Sequence, residues 1–378
     1  MMIPILLKSI SIEDYGIVGL YLGLVAIFTA ILPMSAENAV ARSVFEADKI
    51  LNRQVFGTAI AVVIMMFLLS LIFILLLRGW LTEPLFNISL LALITSVLQV
   101  FVNLILVQLQ MREEVVSYFL ISVVQAILIL GLTIYWLPTL GVWARYTSPV
   151  ISLLVVLVSY CCLTNFKYVY FKVGLAGWDY IRKVGLPLVP HSLLNVSSLY
   201  IDRFFLKFFN YDVLLGFYTI SSQLINAVGG ALSSVNNAYT PWVFNRLDQD
   251  KSLNFIGIIV ILALVCFFMV LVTMWVSPLI PVGKYSVIVD SLYLIPIYVF
   301  FESTYYLTCP LLYFKKLGSS VSTATFVSAV TKVGLLVGYL LFNEPTIDGI
   351  LIILIASVAI KTLMTLCFVR INYESLSK

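Results

Sequence analysis

Ionisable side chains inside strongly apolar segments are the residues of this chain best placed to do chemistry. They are Arg145, Asp202, Arg203, Asp290, Glu302, Lys332 and Lys361. Each charge costs about 2.5 to 3.5 kcal/mol at the centre of a bilayer, so each must pair, reach the interface or bind a ligand. The first four lie towards the predicted outer ends of their segments, where reaching the interface competes with function. The last three lie nearer mid-depth and cannot reach it easily.

Two polar stripes mark residues 184–247, which we expect to be two membrane helices joined by a short turn. The stripes comprise His191, Asn195, Ser198 and Asp202 on the first helix, and Ser222, Asn226, Gly230, Ser233 and Asn237 on the second. Their spacing of three and four residues places each set on one helical face. Such faces line either a hydrated cavity or a packed interface between helices. Pro187 and Pro190 predict a helix break, which favours the cavity.

The sequence shows no pattern of catalytic or metal-binding residues. His191 is the only histidine, no nucleophile or carboxylate stands at triad or ligand spacing from it, and we expect it to hydrogen-bond rather than to act as a base. The five cysteines have no metal spacing, and we expect no cofactor. No nucleotide-binding glycine loop is present, so transport would need an ion gradient, a partner or the substrate gradient.

The whole composition is that of an all-α integral membrane protein. The chain has 62% hydrophobic residues, 11% charged residues and a mean hydropathy of +1.09. With about 20 apolar residues per span, it supplies eleven full transmembrane helices plus an N-terminal stub, Met1 to Ile10. Because the stub covers only half a span, we expect a longer reading frame upstream. A capping box at Ser11 and Asp14 predicts where the next helix begins.

Loop charges and an internal similarity predict the arrangement of these helices. Basic residues concentrate in one set of alternate loops, which assigns that set and the C-terminus to the cytoplasm. The net charge of +4 indicates no nucleic-acid partner. Residues 37–46 align with residues 236–245, which suggests two six-helix-type bundles related by a repeat. We therefore predict an N-terminal bundle over 1–166, a cytoplasmic link over 167–183 and a C-terminal bundle over 184–378.

Short motifs distributed along the chain give it a family resemblance. They are EDYG at 13–16, NAVAR at 38–42, GLPLVP at 185–190, DRFF at 202–205, GFY at 216–218 and PW at 241–242. This pattern resembles the bacterial polysaccharide-export flippases of the multidrug, oligosaccharidyl-lipid and polysaccharide exporter superfamily. The resemblance implies a multi-pass inner-membrane protein of O-antigen or lipopolysaccharide biosynthesis. Its substrate would be an undecaprenyl-pyrophosphate-linked oligosaccharide, and its partners membrane lipids, a polysaccharide polymerase and a chain-length regulator.

The implied cargo gives the polar residues specific roles. We expect Lys332 and Lys361 to meet a pyrophosphate or acidic sugar midway, and Arg145 and Arg203 to receive it nearer the exit. Sugar hydroxyls would bind His191, Asn195, Ser198, Ser222, Asn226 and Asn237. The alternative is that both lysines only neutralise Glu302, although Glu302 paired with one lysine would leave the other for a ligand.

Two other functions compete with the flippase. A cation-coupled drug or small-molecule antiporter of the same superfamily would use a membrane carboxylate such as Glu302 or Asp202. A membrane glycosyltransferase or O-antigen polymerase would need a long, charged external loop, and the sequence offers none.

Overall fold

The computed structural model describes residues 6, 9–46, 49–164, 169–248, 268, 291, 293–314 and 317–374, and this part of the chain is helical. Its longer helices are α1 (Ile12–Ile31), α2 (Ala36–Ser43), α3 (Lys49–Leu76), α4 (Glu83–Met111), α5 (Val115–Leu140), α6 (Trp143–Thr164), α7 (Leu175–Val184), α8 (Val189–Phe208), α9 (Asp212–Asp248), α10 (Leu294–Phe314), α11 (Gly318–Phe342) and α12 (Ile347–Glu374). Short 3-10 turns follow α3, at Leu77–Gly79, and α7, at Leu186–Leu188.

Seven of the described helices are long and apolar enough to cross a membrane, which confirms a multi-pass membrane protein. They are α1, α3, α4, α5, α6, α11 and α12, and the pair of α7 and α8 adds an eighth if it forms one broken span. Most of the N-terminal stub, and all but Phe268 of a further predicted span over 253–275, lie outside the residues that the structure describes. The total of eleven spans and the internal repeat therefore stay predictions.

Helix α1 begins where the capping box predicted. The backbone N–H of Asp14 donates to the Ser11 hydroxyl over 3.1 Å, and that hydroxyl donates to the Asp14 carboxylate over 2.7 Å. Ser11 thereby satisfies one of the backbone donors that the first turn of a helix leaves open. The predicted helix start is confirmed.

The predicted break at Pro187 and Pro190 is also confirmed. Pro187 lies in the 3-10 turn, Pro190 lies in the first turn of α8, and the helical segments on either side meet at 46°. Proline has no N–H to donate and its ring clashes with the preceding turn, so a straight α-helix cannot continue through this sequence.

The chain forms two compact units, one ending at Tyr200 and the other beginning at Ile201. In the N-terminal unit α1 and α6 pack on α4, α5 packs on α6, and α7 packs on α3. A Cβ at Gly177 would stand 2.6 Å from the Gln54 carbonyl oxygen, so only glycine allows α7 to lie this close to α3. The described part of the predicted link, 169–183, thus belongs to the N-terminal unit. The bundle limits predicted from the sequence stay predictions.

In the C-terminal unit α12 packs against both α10 and α11, and α9 packs against α10. Small and hydroxylated residues allow these helices to approach closely. The Ser328 hydroxyl of α11 donates to the Ser357 carbonyl of α12 over 2.7 Å, and the Thr362 hydroxyl of α12 donates to the Phe301 carbonyl of α10 over 2.9 Å. These contacts hold the two helices that carry the predicted lysines.

Candidate functional site

Asp202 and Lys332 form a fully buried ion pair in the C-terminal unit. The Lys332 Nζ atom lies 2.8 Å from Asp202 Oδ2, and the two side chains are 1% and 0% exposed. The Tyr218 hydroxyl donates a hydrogen bond to the same carboxylate oxygen. Helices α8, α9 and α11 therefore meet at Asp202. At this burial a charge without its partner would be costly, so the pair fixes these three helices together.

Glu302 and Lys361 form a second ion pair, between α10 and α12. The Lys361 Nζ atom lies 3.0 Å from Glu302 Oε2, and the side chains are 11% and 9% exposed. The same Nζ atom stands 4.0 Å from the centroid of the Tyr305 ring, within range of a cation–π contact. This lysine is thus held by a carboxylate and by an aromatic face.

The two lysines do not share one counter-ion. The alternative in which both neutralise Glu302 is wrong, because Lys332 pairs with Asp202. The expectation that a Glu302 pair would leave the second lysine free is wrong for the same reason. The sequence left open whether Asp202 reaches the interface or serves a function, and its side chain is in fact fully buried. A cargo role for either lysine stays a prediction.

Arg203 and Ser222 are also engaged with each other. An Arg203 Nη2 atom donates to the Ser222 hydroxyl over 2.8 Å, and that hydroxyl donates to the Thr219 carbonyl over 3.0 Å. Arg203 is 1% exposed, so of the two alternatives left open by the sequence, extension of this side chain to the membrane interface is wrong. It joins α8 to α9 beside the Asp202 pair. Asp290 lies outside the residues that the structure describes.

The remaining residues of the two polar stripes are placed differently from one another. Asn195 is exposed, whereas Ser198 and Asn226 are partly buried. The structure brings Asp202 together with Lys332 and Tyr218, which are not members of its own stripe. His191 and Asn237 lie in described helices, but their side chains lie outside the described part. Their proposed contacts with sugar stay predictions.

Arg145 in the N-terminal unit has a different environment. It lies near the start of α6, close to the side chains of Tyr15, Tyr21 and Tyr146. The Tyr21 and Tyr146 rings pack at an angle of 52° with centroids 5.0 Å apart, and the Tyr21 hydroxyl lies 2.8 Å from the Thr95 hydroxyl. Among the described residues, no carboxylate lies within ion-pair distance of Arg145. Its described surroundings are therefore aromatic and hydroxylated, without an opposite charge.

Tyr146 strengthens this arrangement because its hydroxyl is buried without a hydrogen-bond partner in the described structure. The Tyr146 side chain is only 1% exposed and lies edge-on to Trp143, with ring centroids 5.6 Å apart. A buried hydroxyl without a partner loses the hydrogen bond that it would make to water. It is thus a second polar group near Arg145 without a partner in the described structure.

A polar network that the sequence analysis did not select lies elsewhere in the N-terminal unit. The Gln125 amide donates to Gln99 over 2.9 Å, and the Gln99 amide donates to Asn103 over 2.9 Å. The Asn103 side chain in turn hydrogen-bonds to the carboxylate of Glu37. Gln99 and Asn103 stand four residues apart in an apolar helix, and this spacing was the signal that could have found them.

The described polar side chains also bear on metal binding. Within the part of the chain that is described, no group of three His, Cys, Asp or Glu side chains could hold a metal ion. The polar groups of the separate clusters described above are guanidinium, ammonium, amide and hydroxyl donors together with carboxylates. Such groups bind and release charged or hydroxylated ligands.

Comparison with known proteins identifies both fold and family. The structure is similar to that of a multidrug resistance MATE family transporter of the MOP superfamily in its inward-facing conformation, with a TM-score of 0.73, 14% identity and 99% and 93% of the two chains covered. Against an outward-facing conformation the TM-score is 0.64, with 16% identity and 99% and 91% covered. At this identity the likeness shows the fold.

The sequence is similar to "Lsg locus putative protein 1" of Haemophilus influenzae, with 27% identity over 261 residues. The match covers 66% of this chain and 63% of the relative, so the chain spans less than two thirds of that relative's length. A family model described as "Polysaccharide biosynthesis protein" matches residues 1–247. This match covers more than half of the chain and confirms the resemblance seen in its motifs. The protein therefore belongs to the polysaccharide biosynthesis protein family.

Proposed function

We propose that this protein is a transporter that moves a lipid-linked oligosaccharide across the bacterial inner membrane. The cargo would be an undecaprenyl-pyrophosphate-linked repeat unit of O-antigen or another surface polysaccharide, passed from the cytoplasmic to the outer leaflet. Membership of the polysaccharide biosynthesis family supports the sugar cargo. Similarity to transporter structures captured facing inward and facing outward supports alternating access. In this proposal the chain carries its substrate and makes or breaks no covalent bond.

The observation that carries the proposal is the uncompensated guanidinium of Arg145. A pyrophosphate needs a fixed cation in a region of low dielectric, and an Arg fork matches its oxygens. Lys332 and Lys361 already have carboxylate partners, whereas Arg145 has none among the described residues. Arg145 and the Tyr146 hydroxyl would therefore hold the pyrophosphate. In this proposal Asp202 and Glu302 hold the two lysines, and Arg203 joins α8 to α9 beside them. The lysines would contact the cargo only after their ion pairs open.

Sugar hydroxyls would bind the polar residues of the two stripes. Those residues are His191, Asn195, Ser198, Ser222, Asn226 and Asn237. Asn195 is exposed and Asn226 partly buried, so both are accessible to a ligand. The prenyl tail would remain in lipid, because an uninterrupted hydrocarbon chain gains nothing from a polar surface. A polysaccharide polymerase and a chain-length regulator are the proposed partners, since they would consume the flipped unit.

A second candidate is a cation-coupled antiporter of the same fold. The buried carboxylates of Asp202 and Glu302 favour it, because antiporters need a membrane carboxylate that a cation can occupy. Both carboxylates are nevertheless held by lysine in this structure, which leaves no vacant charge for a cation at either. We therefore rank the antiporter function second.

The experiment is an export assay in cells that depend on this protein for surface polysaccharide. We expect Arg145→Gln to reduce export at least about tenfold, the equivalent of about 1.4 kcal/mol, at unchanged protein level in the membrane. Arg145→Lys should retain part of the export, because a point charge replaces the planar fork. The matched control is Arg78→Gln, since Arg78 is exposed and lies 5.5 Å from the Phe86 ring. Normal export by Arg145→Gln would disprove the proposal, and uptake of a drug without polysaccharide export would favour the antiporter.

A further inference from the structure

A short segment that leads into α7 packs directly against α3. A Cβ at Gly57 of α3 would stand 2.5 Å from the Lys172 carbonyl oxygen, and a Cβ at Gly174 would stand 2.8 Å from the side chain of Gln54. Glycine at these two positions allows the chain to approach this closely. Residues 172–174 are therefore held against residues 54–57 of α3.

Two cavities open beside this contact. The first has a volume of about 440 Å³ and the second a volume of about 240 Å³, and both are lined by Val62 of α3 and Trp178 of α7. Together we call them the α3–α7 groove, which is formed chiefly by Ala61, Val62 and Met65 on α3 and by Val173, Leu175 and Trp178 on the segment that carries α7. These lining side chains are apolar, and the first volume lies within the range of small-ligand sites.

The groove belongs to a helix that can cross a membrane. Helix α3 is among the described helices that are long and apolar enough for this. Trp178 and Leu175 are 43% and 85% exposed on the surface of the protein. An exposed tryptophan, with an apolar ring and one polar N–H, is typical of the boundary between hydrocarbon and headgroups. The groove therefore lies where a lipid chain and its headgroup are both within reach.

The second cavity has a basic side chain in its lining. Arg182 contributes to it, and Lys183 follows in the last turn of α7. Both residues are exposed, and among the described residues no carboxylate lies within ion-pair distance of either. Helix α7 carries one acidic residue, Asp179, against these two cations. A phosphate has the complementary charge, and the planar arginine side chain can contact two of its oxygens.

The direction of α7 agrees with a position at the membrane surface. The segments on either side of the break at Pro187 meet at 46°, so α7 does not continue the axis of α8. Gly177 and Ile181 are buried, whereas Arg182 and Lys183 are exposed. Helices with an apolar face and basic residues lie along the membrane interface, where anionic lipids attract them.

We propose that the α3–α7 groove binds one anionic phospholipid, with an acyl chain beside Trp178 and its phosphate on Arg182 and Lys183. The groove offers a concave apolar surface to the chain and two cations to the phosphate. A zwitterionic lipid gains less from these cations, because its own ammonium neutralises its phosphate. A prenyl phosphate shares the chemistry of chain and phosphate, but a bilayer supplies phospholipid in large excess, and mass action favours the abundant ligand. The site goes beyond the proposed function, because this lipid is bound and not transported.

The first test is native mass spectrometry of the full chain in detergent, titrated with phosphatidylglycerol or with phosphatidylcholine of the same acyl chains. We expect one phosphatidylglycerol to bind at least about tenfold more tightly than phosphatidylcholine, and the double variant Arg182→Gln, Lys183→Gln to lose this preference. Ala61→Phe should weaken the binding of both lipids, because it fills the groove. The matched control is Arg78→Gln, since the exposed Arg78 follows the opposite end of α3. Equal binding of the two lipids, or a preference that persists in the double variant, would overturn the proposal.

A second measurement locates the acyl chain in lipid vesicles. Brominated acyl chains quench tryptophan fluorescence on contact, and subtracting the signal of Trp178→Phe from that of the wild type isolates Trp178. We expect brominated phosphatidylglycerol to saturate this quenching while it is a minor fraction of the lipid, and brominated phosphatidylcholine to quench in proportion to its fraction. Proportional quenching by both lipids would indicate ordinary bilayer contact and overturn the proposal. Displacement of phosphatidylglycerol by a lower concentration of undecaprenyl phosphate would assign the groove to a prenyl chain and also overturn it. Neither measurement involves transport, so a failure of the proposed function at Arg145 leaves both outcomes unchanged.

Discussion

The two units of the chain differ in whether their buried charged side chains have an oppositely charged partner. In the C-terminal unit Lys332 and Lys361 each lie against a carboxylate, and an aromatic group completes each pair. In the N-terminal unit Arg145 and Glu37 have no opposite charge within ion-pair distance among the described residues. An ion pair fixes the helices that carry it, whereas a charge without an opposite charge nearby is a candidate for binding a ligand.

This difference separates positions that hold the fold from positions that change state. Lys332 links α11 to α8 through Asp202, so its removal acts on structure. Arg145 lies among tyrosines and Glu37 beside an amide. These groups accept or donate hydrogen bonds but carry no charge that could neutralise the guanidinium or the carboxylate. The C-terminal unit thus pairs its buried lysines with carboxylates, whereas no opposite charge lies within ion-pair distance of Arg145 or Glu37 among the described residues of the N-terminal unit.

The largest expected effect comes from breaking the fully buried pair. Lys332→Met leaves the Asp202 carboxylate buried with the Tyr218 hydroxyl alone, and we expect a loss of about 3 to 5 kcal/mol in the free energy of unfolding. The folded fraction in detergent, measured by thermal denaturation, checks this. The double variant Asp202→Asn, Lys332→Met removes both charges and should recover most of the loss. A double variant as unstable as the single one would contradict the pairing.

The apolar pattern of the sequence predicted most of the helices but few of the contacts between them. Ser11 and Asp14 are three residues apart, so their contact follows from local geometry alone. Pro187 and Pro190 likewise act through their own backbone. Local signals of this kind are readable from one sequence because the partners stay neighbours in any helical fold.

The ion pairs could not be read in this way. Asp202 and Lys332 are far apart in sequence, and either lysine could have met either carboxylate until the packing of α8, α9 and α11 was known. Glu37 was missed because it stands at the end of a predicted span, where a carboxylate ordinarily meets water. Its Oε1 atom is shielded, and its carboxylate meets Asn103 on α4, which is distant in sequence.

We expect a smaller loss in the free energy of unfolding when the Glu302–Lys361 pair is broken, because this pair is less buried than Asp202–Lys332. Glu302 and Lys361 are 9% and 11% exposed, against 0% and 1% for Asp202 and Lys332. Water can therefore partly solvate Glu302 after Lys361→Met, and we expect a loss of about 1 to 3 kcal/mol. The matched control is Tyr305→Phe, which keeps the aromatic face and should change little. A loss at Lys361 larger than that at Lys332 would show that burial does not set the cost.

The smallest expected effect is a gain in stability on removing the charge of Glu37. The folded carboxyl has a pKa of about 7 and the unfolded carboxyl one of 4.5, so between these values the folded state binds more protons. Wild-type stability is therefore fully present below pH 4.5 and decreases as the pH rises through about 7. Glu37→Gln carries no charge and lacks this decrease, so its thermal midpoint should exceed that of the wild type at pH 8.5 and match it at pH 4.5. The gain should be on the order of 1 kcal/mol after solvent screening. Glu13→Gln provides the control, because the exposed Glu13 side chain has no comparable shielding. An equal difference at both pH values would mean that the substitution changes packing and not charge.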